Sequence, residues 1–159
     1  MKAILNLRAA QAYCQTTQVK ETRGAIETAY EALRDQPSDS GEPAWSYWMD
    51  EAQANEQVGY CYMRLEDWGR ARNHLRSALQ LGENSGTREA ALRQTLFAIT
   101  YARQGDPEQA CHIGRRAVDV LASKVDSDRC VGHVRRLQDA LNPYRKLGAV
   151  TEFNELVAH

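Results

Sequence analysis

Two stretches decide the fold: VGYCYMRLEDWGRA at 58–71 and FAITYARQGDPEQA at 97–110. Laid over each other at an offset of 39 residues, they pair Val58-Gly59 with Phe97-Ala98, Tyr62 with Tyr101 and Ala71 with Ala110, and Ala78 further on with Ala117. Apolar residues on either side of the break at Glu66-Asp67 or Gly105-Asp106 recur at spacings of three and four. Each stretch therefore reads as the end of one helix, a tight turn and the start of a second. In Asp106-Pro107 the aspartate is an N-cap and the proline occupies the first helical position, where a missing N–H costs nothing. Close helix packing explains the small residues. Gly59 and Ala98 stand where the paired helix crosses, Ala71 and Ala110 are their counterparts, and bulk at any of the four would overpack the hairpin by about 1–3 kcal/mol. Tyr62, Tyr101, Leu75 and Leu79 fill the space between successive hairpins.

Outward from this pair the same period continues, alanine is abundant and β-branched alternation is absent. The pattern predicts an all-α chain of eight helices in about four antiparallel hairpins, spanning 2–35, 43–81, 87–124 and 126–158 of a single domain. All four prolines (Pro37, Pro43, Pro107, Pro143) fall where a helical pattern ends or begins. The loop Gln36 to Pro43 separates the first two hairpins, Gly82 opens the GENSG turn, and Asp126 or Ser127 caps the seventh helix. The third helix carries a stripe from Trp45 and Trp48 through Ala52 and Val58 to Leu65; the seventh carries Val131, Val134, Leu137 and Leu141, and the eighth Val150, Phe153 and Val157. In the first hairpin only the second helix aligns with the repeat, through Ala25, Ala29 and Ala32. In the last, Arg135 stands where a small residue belongs, which marks a divergent capping hairpin.

Composition narrows the function. With 159 residues, 43% apolar, the chain fits one domain with a sizeable core. A formal net charge of −1 lacks the basic surplus of a general nucleic-acid binder. No run approaches the roughly 20 apolar residues that a bilayer requires, so a cytoplasmic protein is expected. Cys14, Cys61, Cys111 and Cys130 are 47, 50 and 19 residues apart, which offers no metal or redox pair and reads as core thiols. Catalysis finds no support. Cys111 and His112 are adjacent on a helix and point about 100° apart. His74, His112, His133 and His159 share no ligand spacing, and GENSGTR at 82–88 lacks the Gly-Lys-Ser/Thr of a phosphate loop. No cofactor, no metal and no enzymatic activity are expected. The six acids and no base of residues 35–56 read as a solvated loop and helix start.

The paired motifs resemble the tetratricopeptide repeat family, whose helix-turn-helix unit has a large apolar residue followed by a small one, an aromatic three later, and small residues along the second helix. Asn55 and Gln94 replace its consensus tryptophan. The resemblance implies a right-handed superhelical stack whose first helices line a concave side. On that side it places Glu56, Tyr60, Met63 and Arg64, then Leu96, Ile99 and Arg103 beside Leu92 and Thr95, then Arg129, His133 and Arg136. Such a floor suits a protein or peptide with apolar anchors and an acidic group, since guanidinium forks pair with carboxylates. Glu56 and Thr95 do not reproduce the Lys/Asn carboxylate clamp of the family's chaperone-binding members.

A narrower set of features runs from AW-x-x-W through G-x-C-Y-x-x-L to the closing LNPYRKLGAVTEFNE. It resembles the C-terminal repeat region of actinobacterial transcriptional regulators of the Xre/Cro class. That resemblance implies the sensor and interaction part of such a regulator, binding a peptide, small effector or partner protein, with a homodimer as a possible assembly. The first 60 residues hold nothing like the helix-turn-helix that reads a major groove, so no direct nucleic-acid contact is expected of this chain. The alternative reading is a stand-alone scaffold or adaptor not linked to transcription.

Overall fold

The computed structural model describes residues 2–35, 51–82, 87–122 and 128–158. Among them every element is helical: α1 (Lys2–Gln15), α2 (Val19–Arg34), α3 (Glu51–Arg64), α4 (Trp68–Leu81), α5 (Thr87–Arg103), α6 (Pro107–Ala122), α7 (Asp128–Leu141) and α8 (Gly148–Ala158). A 3-10 turn at Asn142–Tyr144 joins the last two. The pairs α1–α2, α3–α4 and α5–α6 pack as hairpins, the all-α arrangement of helical repeats. The loop expected at 36–43, Trp45, Trp48, the GENSG turn beyond Gly82 and the cap at Asp126 or Ser127 lie outside the described residues.

One turn geometry closes all three hairpins. The amides of Gln18, Asp67 and Asp106 donate to the carbonyls of Tyr13, Tyr62 and Tyr101 at 3.0, 2.9 and 2.9 Å. The residue before each, Thr17, Glu66 or Gly105, takes a φ of 57°, 59° or 86°. So sharp a reversal needs one left-handed residue, which glycine adopts freely and Thr17 and Glu66 adopt at a cost of about 1 kcal/mol. Asp67 and Asp106 then start the next helix, each Oδ1 accepting from the backbone N–H three residues on, Arg70 at 3.3 Å and Gln109 at 3.1 Å. This shared turn sets α1 in register with α3 and α5. Tyr13 corresponds to Tyr62 and Tyr101, Ala10 to Gly59 and Ala98, Thr22 to Ala71 and Ala110, and Ala29 to Ala78 and Ala117. The first hairpin thus aligns through both helices, not through its second alone. Two residues hid it in the sequence: Thr17 stands where a turn glycine would be sought, and Thr22 fills a small position by folding its hydroxyl back onto the Gln18 carbonyl at 2.6 Å.

The contacts divide the chain into two compact units, Met1–Leu81 and Gly82–His159. In the first, α3 lies on α1 and also touches α2. Their core includes Leu7, Cys14, Ile26, Ala54, Val58 and Cys61. The Cys14 thiol donates to the Gln11 carbonyl at 3.1 Å; burial, then the neighbouring Cys14, pushes the Cys61 thiol up, so it stays protonated and unreactive. Gly59 marks the tightest approach. A Cβ there would lie 2.8 Å from Leu75 Cγ and 3.4 Å from the Ala71 carbonyl oxygen.

In the second unit α5 packs on α6 and α7, and α8 packs on α6. The residue of α6 in register with Leu75 is Gly114, and a Cβ there would lie 2.7 Å from Leu137 Cδ2 and 3.0 Å from Phe153 Cε2. The glycine that admits a leucine thus moves from the first helix of one hairpin to the second helix of the next, and there it admits side chains of α7 and α8. Gln138 Nε2 donates to Asn154 Oδ1 at 3.1 Å and ties these two helices. On α7 the buried stripe is Leu137, Ala140 and Leu141, with Val134 half-buried. Val131, expected in that stripe, is 50% exposed because at about 100° per residue it stands on the side of α7 opposite the buried Ala140. On α8, Val150 and Phe153 are buried and Val157 is half-buried.

Candidate partner-binding site

The residues expected to line a binding face fall on both units. On α3, Tyr60 follows Glu56 by four residues, and Met63 and Arg64 follow Tyr60 by three and four, so they share one face of the helix. Glu56, Tyr60 and Met63 are half-buried, Arg64 is exposed, and Met63 packs against the first unit's core. In the second unit Leu96 and Ile99 are 3% and 5% exposed, as are Leu92 and Thr95 at 6% and 0%, so these four offer no open floor. Arg103 and Arg136 are exposed and His133 is half-buried; the Arg129 side chain lies outside the described residues. Arg64 and Arg103 occupy one repeat position, two residues after Tyr62 and Tyr101, in the last turn of their helices. A guanidinium there also complements the negative end of the helix dipole.

The repeat-packing residues are nearly all closed to solvent. Ala71, Ala78, Ala98 and Ala110 are fully buried and Ala117 is 1% exposed. Tyr62 stacks on the His74 ring, centroids 5.5 Å apart, and Tyr101 meets Phe97 edge-on at 5.1 Å.

The first unit also builds a polar cluster that periodicity did not single out. Asn55 of α3 donates from Nδ2 to the Glu51 carbonyl at 2.9 Å, which fixes its amide and turns Oδ1 toward α2 and α4. That oxygen accepts from the Tyr30 hydroxyl at 2.8 Å and lies 3.0 Å from His74 Nδ1. An amide oxygen cannot donate, so the His74 proton sits on Nδ1. The Tyr30 oxygen lies 3.2 Å from the same nitrogen, and the His74 ring is held between Tyr30 and Tyr62. Burial, with the Glu51 charge next, pushes the Tyr30 hydroxyl far up. Burial likewise raises Tyr62, against the Arg70 and Arg23 charges. Asn55 and His74 stand on faces otherwise apolar, the one signal in the sequence that could have found them.

Burial lowers the His74 pKa from its ordinary 6.5. The unfolded chain therefore takes up the proton first, and stability present above pH 6.5 is lost as the pH falls through that value toward the folded pKa. Urea titrations of wild type and His74→Gln should show the wild type's advantage shrinking as the buffer is taken from pH 7.5 to about 5.5. An advantage independent of pH would show that His74 does not titrate in this window.

Beside this cluster Glu27, Tyr30, Glu31, Arg34 and Glu51 line an open cleft of about 500 Å³. Asp67, at the start of α4, pairs with Arg70 at 2.6 Å and with Arg23 of α2 at 3.6 Å. Burial raises the Asp67 pKa, but the hydrogen bonds from Arg70 and the two guanidinium charges outweigh it and hold the carboxyl below its usual range. Among the described residues no helix is long and apolar enough to cross a membrane, and no group of three or more His, Cys, Asp or Glu could hold a metal ion.

No curated protein and no solved structure matches the chain. Residues 50–123, which run from the start of α3 to the end of α6, match the tetratricopeptide repeat family. With the shared turns, the small residues at each hairpin crossing and this match, residues 50–123 are similar to the tetratricopeptide repeat family.

Proposed function

We propose that the chain acts by binding a protein or peptide partner, without catalysis, as the sensor and interaction part of a bacterial cytoplasmic transcriptional regulator. The observation that carries the binding role is the repeat match over residues 50–123, because tetratricopeptide hairpins serve protein association. Support for the regulator context comes from the order of sequence features through to LNPYRKLGAVTEFNE. The partner's recognition element is an acidic segment, read by Arg64 of the first unit with Tyr60 and Met63 beside it for an apolar anchor; Arg103 holds the same repeat position in the second unit and offers a guanidinium of its own. Both arginines are exposed, so charge reversal leaves the core intact.

Capture on the immobilised full chain, read by mass spectrometry, tests the reading. An acidic partner should be retained by wild type and lost from the Arg64→Glu, Arg103→Glu double variant. Undiminished capture by that variant would reject the arginine face. Finding a helix-turn-helix protein among the partners, or encoded in the same transcript, would favour the regulator context over the scaffold.

A further inference from the structure

The exposed face of α1 is a surface that the repeat architecture elsewhere in this unit keeps covered. Leu5, Ala9, Ala12, Tyr13 and Thr16 share one side of the helix; Leu5 is 61% exposed and Tyr13 36%, while Ala9 is half-buried at its edge against the first unit's core. This side is opposite to Ala3, Leu7, Ala10 and Cys14, the residues that α1 buries. Among the described residues the helix is thus apolar on two faces, of which one packs on α2 and α3 and the other is exposed at Leu5 and Tyr13.

The shared turn tells what such a face does in this fold. With Tyr13 in register with Tyr62, the five positions correspond, 49 residues on, to Ala54, Val58, Cys61, Tyr62 and Leu65 of α3 and its turn. In α3 Ala54 and Val58 are fully buried, Cys61 is 1% exposed and Tyr62 7%. They form one core with Leu7 and Cys14 of α1 and Ile26 of α2, and Leu65 packs against it. The face that seats α3 on the preceding hairpin is therefore the one that α1 leaves open.

Charge selects the occupant. The first 20 residues carry Lys2, Arg8 and Lys20 and no acid. A second copy laid face to face on α1 would bring these cations against their own kind. A helix edged with carboxylates would meet them favourably.

We propose that the outer face of α1 docks an amphipathic helix of a partner protein whose apolar stripe is edged with Asp or Glu. It would lie against α1 as α1 lies against α3, its stripe between Leu5 and Thr16 and its acids toward Lys2 and Arg8. This surface is separate from the arginine face of α3 and does not depend on it.

Two synthetic amphipathic helical peptides test the proposal. They share one Leu/Ala stripe and are edged with glutamate in one and lysine in the other. Fluorescence anisotropy with the full chain should show saturable binding of the glutamate-edged peptide, weaker by about tenfold or more for the lysine-edged one. Leu5→Ser, at a position too exposed to affect folding, should weaken binding of the first peptide about tenfold, the loss expected from one leucine contact, with an unchanged melting curve. Absence of binding by either peptide, equal binding of both, or indifference to Leu5→Ser would each overturn it. So would a sedimentation result in which wild type dimerises and Leu5→Ser does not, because the face would then belong to a second copy.

Discussion

Replacing Gly59 with valine is expected to destabilise the first unit by about 2–3 kcal/mol. The Cβ alone would come within 2.8 Å of Leu75 Cγ and 3.0 Å of its Cδ2. Leu75 is fully buried, so its side chain cannot swing into solvent to make room. The helix itself would gain only roughly 0.3–0.5 kcal/mol from exchanging glycine for valine, which is too little to offset the overlap. Two companions separate the causes. Gly24→Ala on α2, where an added Cβ meets nothing within 4 Å, should raise stability by about 0.5–1 kcal/mol. Leu75→Ala in the Gly59→Val background should cost less than it does in wild type, because the two side chains then share one volume. Urea midpoints with a constant slope would measure all three. A neutral Gly59→Val would mean that α3 and α4 are not held at this spacing.

Phe153→Ala should have the largest effect of a single truncation in the second unit, about 3–5 kcal/mol. Phe153 is the largest of the fully buried side chains, and it enters the space that Gly114 leaves on α6, beside Leu137 of α7. Among the described residues, the polar ties between α8 and its neighbours are weak. The Arg115–Glu152 pair, 2.7 Å long, has side chains 42% and 67% exposed, and the Gln138–Asn154 bond joins two uncharged amides. Removing the ring should therefore free α8 in particular. Hydrogen exchange resolved by peptide should show amides of residues 148–158 losing protection first and α5 last. Uniform loss across the unit would show that α8 unfolds together with the rest.

The sequence was most informative where a local rule was sufficient. The Asp67 and Asp106 turns, the helix boundaries around them and the small residues at Gly59, Ala98, Ala71 and Ala110 follow from contacts within one hairpin, and spacing alone encodes them. Burial on α5 does not follow from one hairpin. Leu96 and Ile99 were expected on an open floor, yet α5 receives both α6 and α7, and a helix flanked twice has no polar side for periodicity to reveal. The polar cluster was hidden for a related reason. Tyr30, Asn55 and His74 come from three helices, and each alone is an ordinary helical residue; only the packing of the first unit sets the hydroxyl, amide and imidazole within 3.2 Å of one another.

The turn that recurs at Thr17, Glu66 and Gly105 also bears on how fast the chain can organise itself. Each of the three hairpins closes over a few residues, so its helices find each other with little loss of chain entropy and in any order. The contacts of α3 with α1, of α7 with α5 and of α8 with α6 bridge longer stretches, and the slower steps of assembly are expected there. Each hairpin can thus form as soon as its own two helices have been made, and the packing of helices from different hairpins follows.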